Sequence, residues 1–501
     1  MTLYDDYAKA KAGMFFGIGG GKLAVICVAL LPVFVAVNRQ AWLGAAVLLG
    51  LWLAASALMV LPVRGRSAFG WIAAMTSFAV AGLLGRSTFR SRAARGDLGK
   101  PAGQTDLPGV LASVAVHDGP PLGPAQARIA IIQNHSAKTW SVTASVVHPG
   151  IGMAEPAKRD QLGRALSGFL DACEQTQLIS AVSLMVRTVP DDGAERRQWM
   201  NNHRIDGGPS LSRRVNDDLL EALATASVRT EQFITFTVPE RRLAKSAKEA
   251  GGGFDGRAAI LYGLMSEVES HLRSGMGIAN MAWLTSPELF LAVRSGFAPG
   301  DRASIIDALQ HQGVDVQVNA GLDWAVAGPS GADVAVRHYS HDAWNSVSAT
   351  IRLPDKGALM GALAPVLMPS VDGERRSFAV VFPIMDRQTA DRQASRAASG
   401  ATLAEGLRAQ LKINPRARER ISAAKAHGLD EKLARGDSLI TPYAVCSVTV
   451  PKTKRVAHHA QGLDASIRRA GFNPLRLDVS HDAGFAVSTI PLGIDLKGPR
   501  A

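Results

Sequence analysis

The chain has 501 residues, of which 47% are apolar, 20% charged and 6% aromatic, and it carries a formal charge of +12. Ample apolar content, ordinary Gly and Pro, and three widely spaced cysteines (Cys27, Cys173 and Cys446) exclude a disordered, collagen-like or disulfide-framed protein and fit reducing surroundings. Residues 1–100 hold eleven Lys and Arg against three Asp, so the basic balance reads as a membrane address and is weak support for nucleic-acid binding.

Leu23 to Val37 and Ala41 to Leu61 are uninterrupted apolar stretches separated by Asn38, Arg39 and Gln40. Each is close to the roughly 20 residues a membrane-crossing helix needs. They predict a transmembrane helical hairpin, about 22–38 and 41–61, within an anchor of residues 1–100. A cleaved signal peptide fits poorly, because a second apolar span follows almost at once. Lys9, Lys11 and Lys22 precede the hairpin and Arg64 and Arg66 follow it, which places both termini in the cytoplasm. Ala68 to Gly85 has basic clusters on both sides, so an interfacial helix over 68–85, with Phe69, Trp71 and Phe78 at the headgroups, is preferred to a third span. The Gly17 to Lys22 run is not a phosphate loop: Phe16 stands where the first Gly belongs and Leu23 where the hydroxyl belongs.

From about Leu107 the pattern changes to short alternating runs between helical segments. Strands are expected at Val110 to Val116, Ala127 to Gln133 and Trp140 to Val147, then a helix from Glu155 to Thr176. The strand Ile179 to Val189, a polar helical insert from Asp191 to Ser227 and the strand Glu231 to Val238 follow. A helix from Gly253 to Ser274 leads to the strand Gly277 to Leu284, then to a helix capped by Thr285 with Glu288 as its box partner. Strands are expected at Asp333 to His338 and Ser346 to Leu353, a helix at Lys356 to Leu367 and a strand at Arg376 to Ile384. A charged helical hairpin spans 389–434, broken at Asn414 and Pro415. Strand Tyr443 to Val450, helix Thr453 to Arg469 and strands Pro474 to Val479 and Ala486 to Ile490 complete the pattern. The fold class is α+β: a composite cytosolic domain of two βαβ-rich halves, 107–250 and 251–501, the second carrying the inserted helical hairpin. Ser340-His341-Asp342-Ala343 and Ser480-His481-Asp482-Ala483 echo one another and suggest repeated strand starts.

Consecutive Ser, His and Asp do not make a hydrolase triad, because adjacent side chains diverge where a triad must converge. The histidines, including His338 with His341 and His458 with His459, lack zinc-motif spacing and read as surface residues. Asp191 with Asp192 and Asp217 with Asp218 read as helix caps. Arg408 to Lys432 mixes both signs with few aromatics, which suits protein contact better than DNA. No catalytic, cofactor-binding or metal-ligating residue is expected; Arg408, Arg416 and Arg420 are the candidate partner contacts.

Three segments carry a resemblance: Gly13-Met14-Phe15-Phe16-Gly17 before the first span, Leu107-Pro108-Gly109-Val110 at the first strand, and the tail from Tyr443 through Ala470-Gly471-Phe472 to Pro491-Leu492-Gly493. On these residues the chain resembles a family of actinobacterial membrane proteins of conjugative elements, related to type IV secretion. Its members look like a PrgI-like hairpin joined to the N-terminal domain of a VirB-family conjugation ATPase without the motor. The resemblance implies a non-enzymatic scaffold, multi-pass in the cytoplasmic membrane. Its partners would be a separately encoded motor ATPase, other channel subunits and further copies of itself. An accessory subunit of a type VII-like apparatus is the alternative. A membrane-bound enzyme assembled from Asp191, Asp217, His338 and Asp342 is the third reading.

Overall fold

The computed structural model describes residues 25–60, 62–63, 66–85, 87–97, 105–151, 154–190, 193–203, 208–226, 228–314, 323–352, 361–369, 371, 373–410, 417–434 and 438–496. Two compact units divide them: one holds the described residues of 85–384 and 442–501, the other those of 5–84 and 385–441.

The second unit begins with α1 (Leu31–Asn38), α2 (Trp42–Val60) and α3 (Ala68–Leu83). α2 contains no charged residue and is 19 residues long, a rise of about 28 Å. Among the described helices only its Trp42–Met59 stretch is long and apolar enough to cross a membrane; Val25–Asn38 and Ala68–Leu83 are apolar but shorter. The turn through Arg39 and Gln40 sends the chain back on itself, and Trp52 Nε1 donates to Ile26 O at 2.9 Å across the two helices. The short strands Pro62–Val63 and Arg66–Ser67 pair antiparallel between α2 and α3, and the remaining described helices of this unit are α12 and α13, placed below in chain order.

The first unit contains β1 (Thr88–Arg90), β2 (Val114–Leu122), β3 (Ala127–Asn134), β4 (Thr139–Val147), α4 (Pro156–Gln175) and β5 (Ala181–Pro190). Next come α5 (Ala194–His203), α6 (Ser210–Ala226), β6 (Val228–Pro239), α7 (Glu240–Glu249), α8 (Gly253–Gly275), β7 (Asn280–Trp283), α9 (Ser286–Phe297) and α10 (Arg302–Val314). Then follow β8 (Gly331–Val334), β9 (Tyr339–His341), β10 (Trp344–Arg352), α11 (Ala364–Leu367) and β11 (Arg375–Pro383). After α12 (Arg387–Gln410) and α13 (Ala417–Ala434), both of the second unit, the chain returns through β12 (Tyr443–Pro451), α14 (Val456–Arg469), β13 (Asn473–Arg476) and α15 (His481–Thr489).

One sheet takes up all thirteen described strands of the first unit, in the order β1-β8-β9-β10-β12-β11-β5-β6-β4-β3-β2, with β13 also on β10 and β7 also on β4. All of these pairings are antiparallel. The same split βαββαβ wiring occurs twice. β4, β5, β6 and β7 lie in the order β5-β6-β4-β7, and β10, β11, β12 and β13 in the order β11-β12-β10-β13, the ferredoxin-like arrangement. The two modules join edge to edge, with Ala181 opposite Pro383 and Thr188 opposite Arg376. The α5–α6 and α12–α13 segments occupy the same place, between the second and third strands of their modules. Because β5 and β11 run antiparallel, the two inserts leave opposite ends of the sheet.

The repeat is written in the strands. Ser141-Val142-Thr143-Ala144-Ser145 matches Ser346-Val347-Ser348-Ala349-Thr350, and Thr235-Phe236-Thr237-Val238-Pro239 matches Ser447-Val448-Thr449-Val450-Pro451. With a period of two, hydroxyls fall on one face and aliphatic side chains on the other. The aliphatic face of the second module, with Val347, Ala349, Cys446 and Val448, packs under α11 and α14. The hydroxyl face lies under α9 and α15, which are buried almost all round.

Two expectations need correction. Ala486 to Ile490 is not a strand: Ala486–Thr489 belongs to α15, seated so closely that a Cβ at Gly484 would meet Ser348 Cβ and Leu477 Cδ1 at 2.5 Å. A short apolar run has no decisive period, and the missing side chain at Gly484 is what admits the helix. Nor do the two Ser-His-Asp-Ala quartets mark equivalent strand starts, since the first ends β9 and the second begins α15. The expected helix from Lys356 is described only at α11, with 353–360 outside the described residues. The Thr285 and Glu288 capping box is present. In the second unit α12 and α13 bury Ala390, Ala394 and Leu433 together with Met385 and Leu439; Asn414 and Pro415 lie outside the described residues.

Candidate functional site

The sheet centre is organised around a buried cation. Arg187 stands in an otherwise apolar stretch of β5 and is 2% exposed. Its Nη1 donates to Ala292 O, within α9, and to Thr489 O, the last carbonyl of α15, each at 2.9 Å, so one guanidinium bridges the two helices and closes the C-terminal end of α15, where backbone carbonyls concentrate negative potential. Its Nη2 meets Glu231 Oε2 at 2.5 Å, and its plane lies 5.0 Å from the Phe233 ring centroid. Glu231 Oε1 also faces Arg302 Nε at 3.4 Å and Arg229 Nε at 3.6 Å, while Glu195 of α5 pairs with both Arg229 and Arg302. Burial pushes the Glu231 carboxyl up, but the guanidiniums of Arg187, Arg302 and Arg229 outweigh it and hold the group below its usual range. The network ties β5, β6, α5, α9, α10 and α15 together.

A ladder of hydroxyls runs beneath the same two helices. Ser141 pairs with Thr237 at 3.1 Å and Thr143 with Thr235 at 2.9 Å in one module; Ser346 pairs with Thr449 and Ser348 with Ser447, both at 2.7 Å, in the other. Thr143 donates to Pro491 O at 2.9 Å, and Tyr443 donates to Asp495 at 2.6 Å, which fixes the segment after α15 against the sheet. Gly493, at φ 71°, is required there, since a Cβ would meet Ser141 Oγ at 2.6 Å.

His341 belongs to this ladder and is fully buried, as is His481, which corrects the expectation of surface histidines. His341 Nδ1 donates to Phe297 O and its Nε2 accepts from Ser346 Oγ, both at 2.8 Å. Burial lowers its pKa to about 3. A hydroxyl and an imidazole therefore meet, but the base is weak and sealed from solvent, so the pair braces β9, α9 and β10. His481 Nδ1 accepts from Ser348 N at 3.0 Å. His459 is buried too, with Nδ1 3.0 Å from Glu374 Oε2, and Glu374 also pairs with Arg376.

Among the described residues, those singled out by sequence stand on separate elements. Asp342, at φ 44°, accepts from Ser330 N at 2.7 Å and faces Arg294 Nη1 at 3.4 Å. His338 lies in the turn between β8 and β9, its pKa lowered by burial and then by His481 and Lys452. Asp217 is on α6, and Asp191 lies outside the described residues. Arg420 is exposed on α13; Arg408 is on α12, and Arg416 lies outside the described residues. A cleft of about 610 Å³ opens between α9, α10 and the segments around 91–94 and 326–330, lined by Ser91, Phe290, Arg294, Asp301, Ser304 and Ser330. Arg294 is already neutralised in it, with Nη2 2.6 Å from Asp301 and Nη1 3.4 Å from Asp342. Among the described residues no group of three or more His, Cys, Asp and Glu could hold a metal ion.

Sequence reasoning missed Arg187, Glu231, Glu374 and Arg376. The available signal was a charge inside a β-branched run: a strand carrying Val182, Val186 and Val189 around Arg187 must either expose that charge or neutralise it internally. Compared with known proteins, the chain matches no family model and no curated protein.

Proposed function

We propose that the chain is a membrane-tethered, non-catalytic scaffold of a type IV secretion-like conjugative machine, which docks a separately encoded motor ATPase to the channel. The observation that carries the tether is α2. Leu43 is 84% exposed, Leu51 62%, Val47 56% and Leu53 55%, on an uncharged helix with no polar face to offer water. Each such side chain gains roughly 1.5–3 kcal/mol on leaving water, so a bilayer is the natural surround. The apolar α1 and α3 would accompany it as a second crossing and an interfacial helix. The basic residues flanking the apolar stretches support a cytoplasmic body.

The body suits contact work. Arg187, Arg302, Glu374, Arg376 and the hydroxyl ladder are buried and bonded within the sheet's two modules, which supports a stiff platform, while Arg420 is exposed on α13. The resemblance to the motor-less N-terminal domain of a conjugation ATPase supports docking of the motor to this platform. The α12–α13 hairpin, with its mixed charge, is the proposed contact, through Arg408, Arg416 and Arg420. Tagged full-length chain extracted from membranes should retain the motor ATPase encoded beside it, and reversing those three charges should weaken capture. Unchanged capture would remove the hairpin from the interface, and capture of no ATPase at all would remove the docking role.

A further inference from the structure

Arginines of the first unit are commonly engaged by carboxylates: Arg187, Arg257, Arg273, Arg294, Arg302 and Arg476 each meet one. α7 departs from this pattern. Arg241, Lys245 and Lys248 are exposed and Arg242 is half-buried, and among the described residues none of the four meets a carboxylate. Arg242 Nη1 donates to Gln177 O at 3.2 Å. Lys138, also exposed, adds a fifth cation at the start of the helix, where its carbonyl accepts from Glu240 N at 2.8 Å. Glu240 is itself engaged by Arg257 at 2.7 Å, which leaves Glu249 as the only other acid of α7.

Helical geometry gathers these charges. At 100° per residue Arg241, Lys245 and Lys248 fall within about 60° of one another, opposite the buried Leu243 and Ala247, and the stripe runs about 10 Å along the axis. The arrangement works against the helix itself. Like charges three and four residues apart repel, and Arg241 and Arg242 stand in the first turn, at the positive end of the helix dipole, where acids are favoured. A face so charged, and left uncompensated by its own chain, is complementary to an anion outside it.

The kind of anion follows from three features. The stripe is extended along an outer helix face, which fits a charged surface better than a single compact group. α7 carries no aromatic side chain on which a base could stack, which disfavours single-stranded nucleic acid. Four to eight Lys and Arg on an amphipathic helix are the pattern that anionic lipid headgroups recognise, and the proposed tether holds the body beside a bilayer, so headgroups are the anion at the highest local concentration.

We propose that the outer face of α7, together with Lys138, is a contact surface for the anionic headgroups of a lipid bilayer. This deepens the scaffold reading and rests on its tether, because the tether is what keeps headgroups within reach.

The test places the full chain in lipid nanodiscs carrying a trace of lipid with a nitroxide on its headgroup. A bimane is attached at Glu249→Cys in a Cys27→Ser background, since Cys27 is exposed whereas Cys173 and Cys446 are buried. In an equal mixture of phosphatidylcholine and phosphatidylglycerol the nitroxide should quench the bimane several-fold more than in phosphatidylcholine alone. High salt should abolish the difference, and so should Arg241→Glu, Lys245→Glu and Lys248→Glu together. Equal quenching in the two lipids, or a difference that survives both high salt and the triple reversal, would overturn the proposal. So would capture of an oligothymidylate by the parent chain, lost on triple reversal, with no headgroup quenching. Alkaline carbonate treatment of the same discs reads the tether separately. A chain released by it would remove the tether and the inference with it, whereas a chain that stays while quenching is equal in both lipids removes the inference alone.

Discussion

Arg187 holds one carbonyl from each of two helices, one carboxylate and one aromatic face at once, and its environment sets how much its loss costs. Removing one partner of a buried ion pair leaves the other charge uncompensated, at about 3–5 kcal/mol. Arg187→Met should therefore lower the thermal midpoint of the detergent-solubilised chain sharply, and Arg187→Met with Glu231→Met should recover part of the loss. A single variant that melts like the parent would show that Arg302 and Arg229 suffice to hold Glu231. His341 yields a pH prediction. The unfolded imidazole takes up a proton below about pH 6.5, whereas the folded one stays neutral until about 3. Stability should thus fall as pH drops through that window, by up to about 1.4 kcal/mol per unit. Thermal melts across this range should show a flatter acid slope for His341→Asn than for the parent; parallel slopes would show that His341 does not titrate with unfolding. Little of this is legible in the sequence. His341 reads as a surface residue, because only the folded sheet brings Ser346 and the Phe297 carbonyl to its two nitrogens.

At the scale of elements, long periodic segments are legible and close approaches are not. The helix Pro156–Gln175 follows from Leu162, Phe169, Leu170 and Cys173 at helical spacing, and those four side chains are buried. The capping box at Thr285 is readable because it is local. α15 is not, since its helical state depends on Gly484 lying against β10, a contact made across more than a hundred residues of chain. Gly484→Ala should accordingly cost about 1–3 kcal/mol by overpacking. Gly263→Ala, in α8 with nothing within 4 Å of the new Cβ, should stabilise by about 0.5–1 kcal/mol through helix propensity. Both are read from thermal midpoints, and a Gly484→Ala chain as stable as the parent would contradict the tight seating of α15. The duplicated strand pattern around Ser141 and Ser346 is present in the sequence, but it is masked by inserts of different length between the matching strands.

Across the whole molecule, the apolar stretch Trp42–Val60 is legible from composition alone, because it carries no charged residue over a length that can cross a membrane. The joining of two modules through β5 and β11 is not, since nothing local dictates which strand edges meet. In the proposed role the body is a platform beneath the membrane that engages a motor through its surface. An electron-microscopy map of the complex purified by the tagged chain should show motor ATPase density against the α12–α13 hairpin on the cytoplasmic side of the micelle. A map with the body on the opposite side of the micelle, or with no motor density attached to it, would rule that role out.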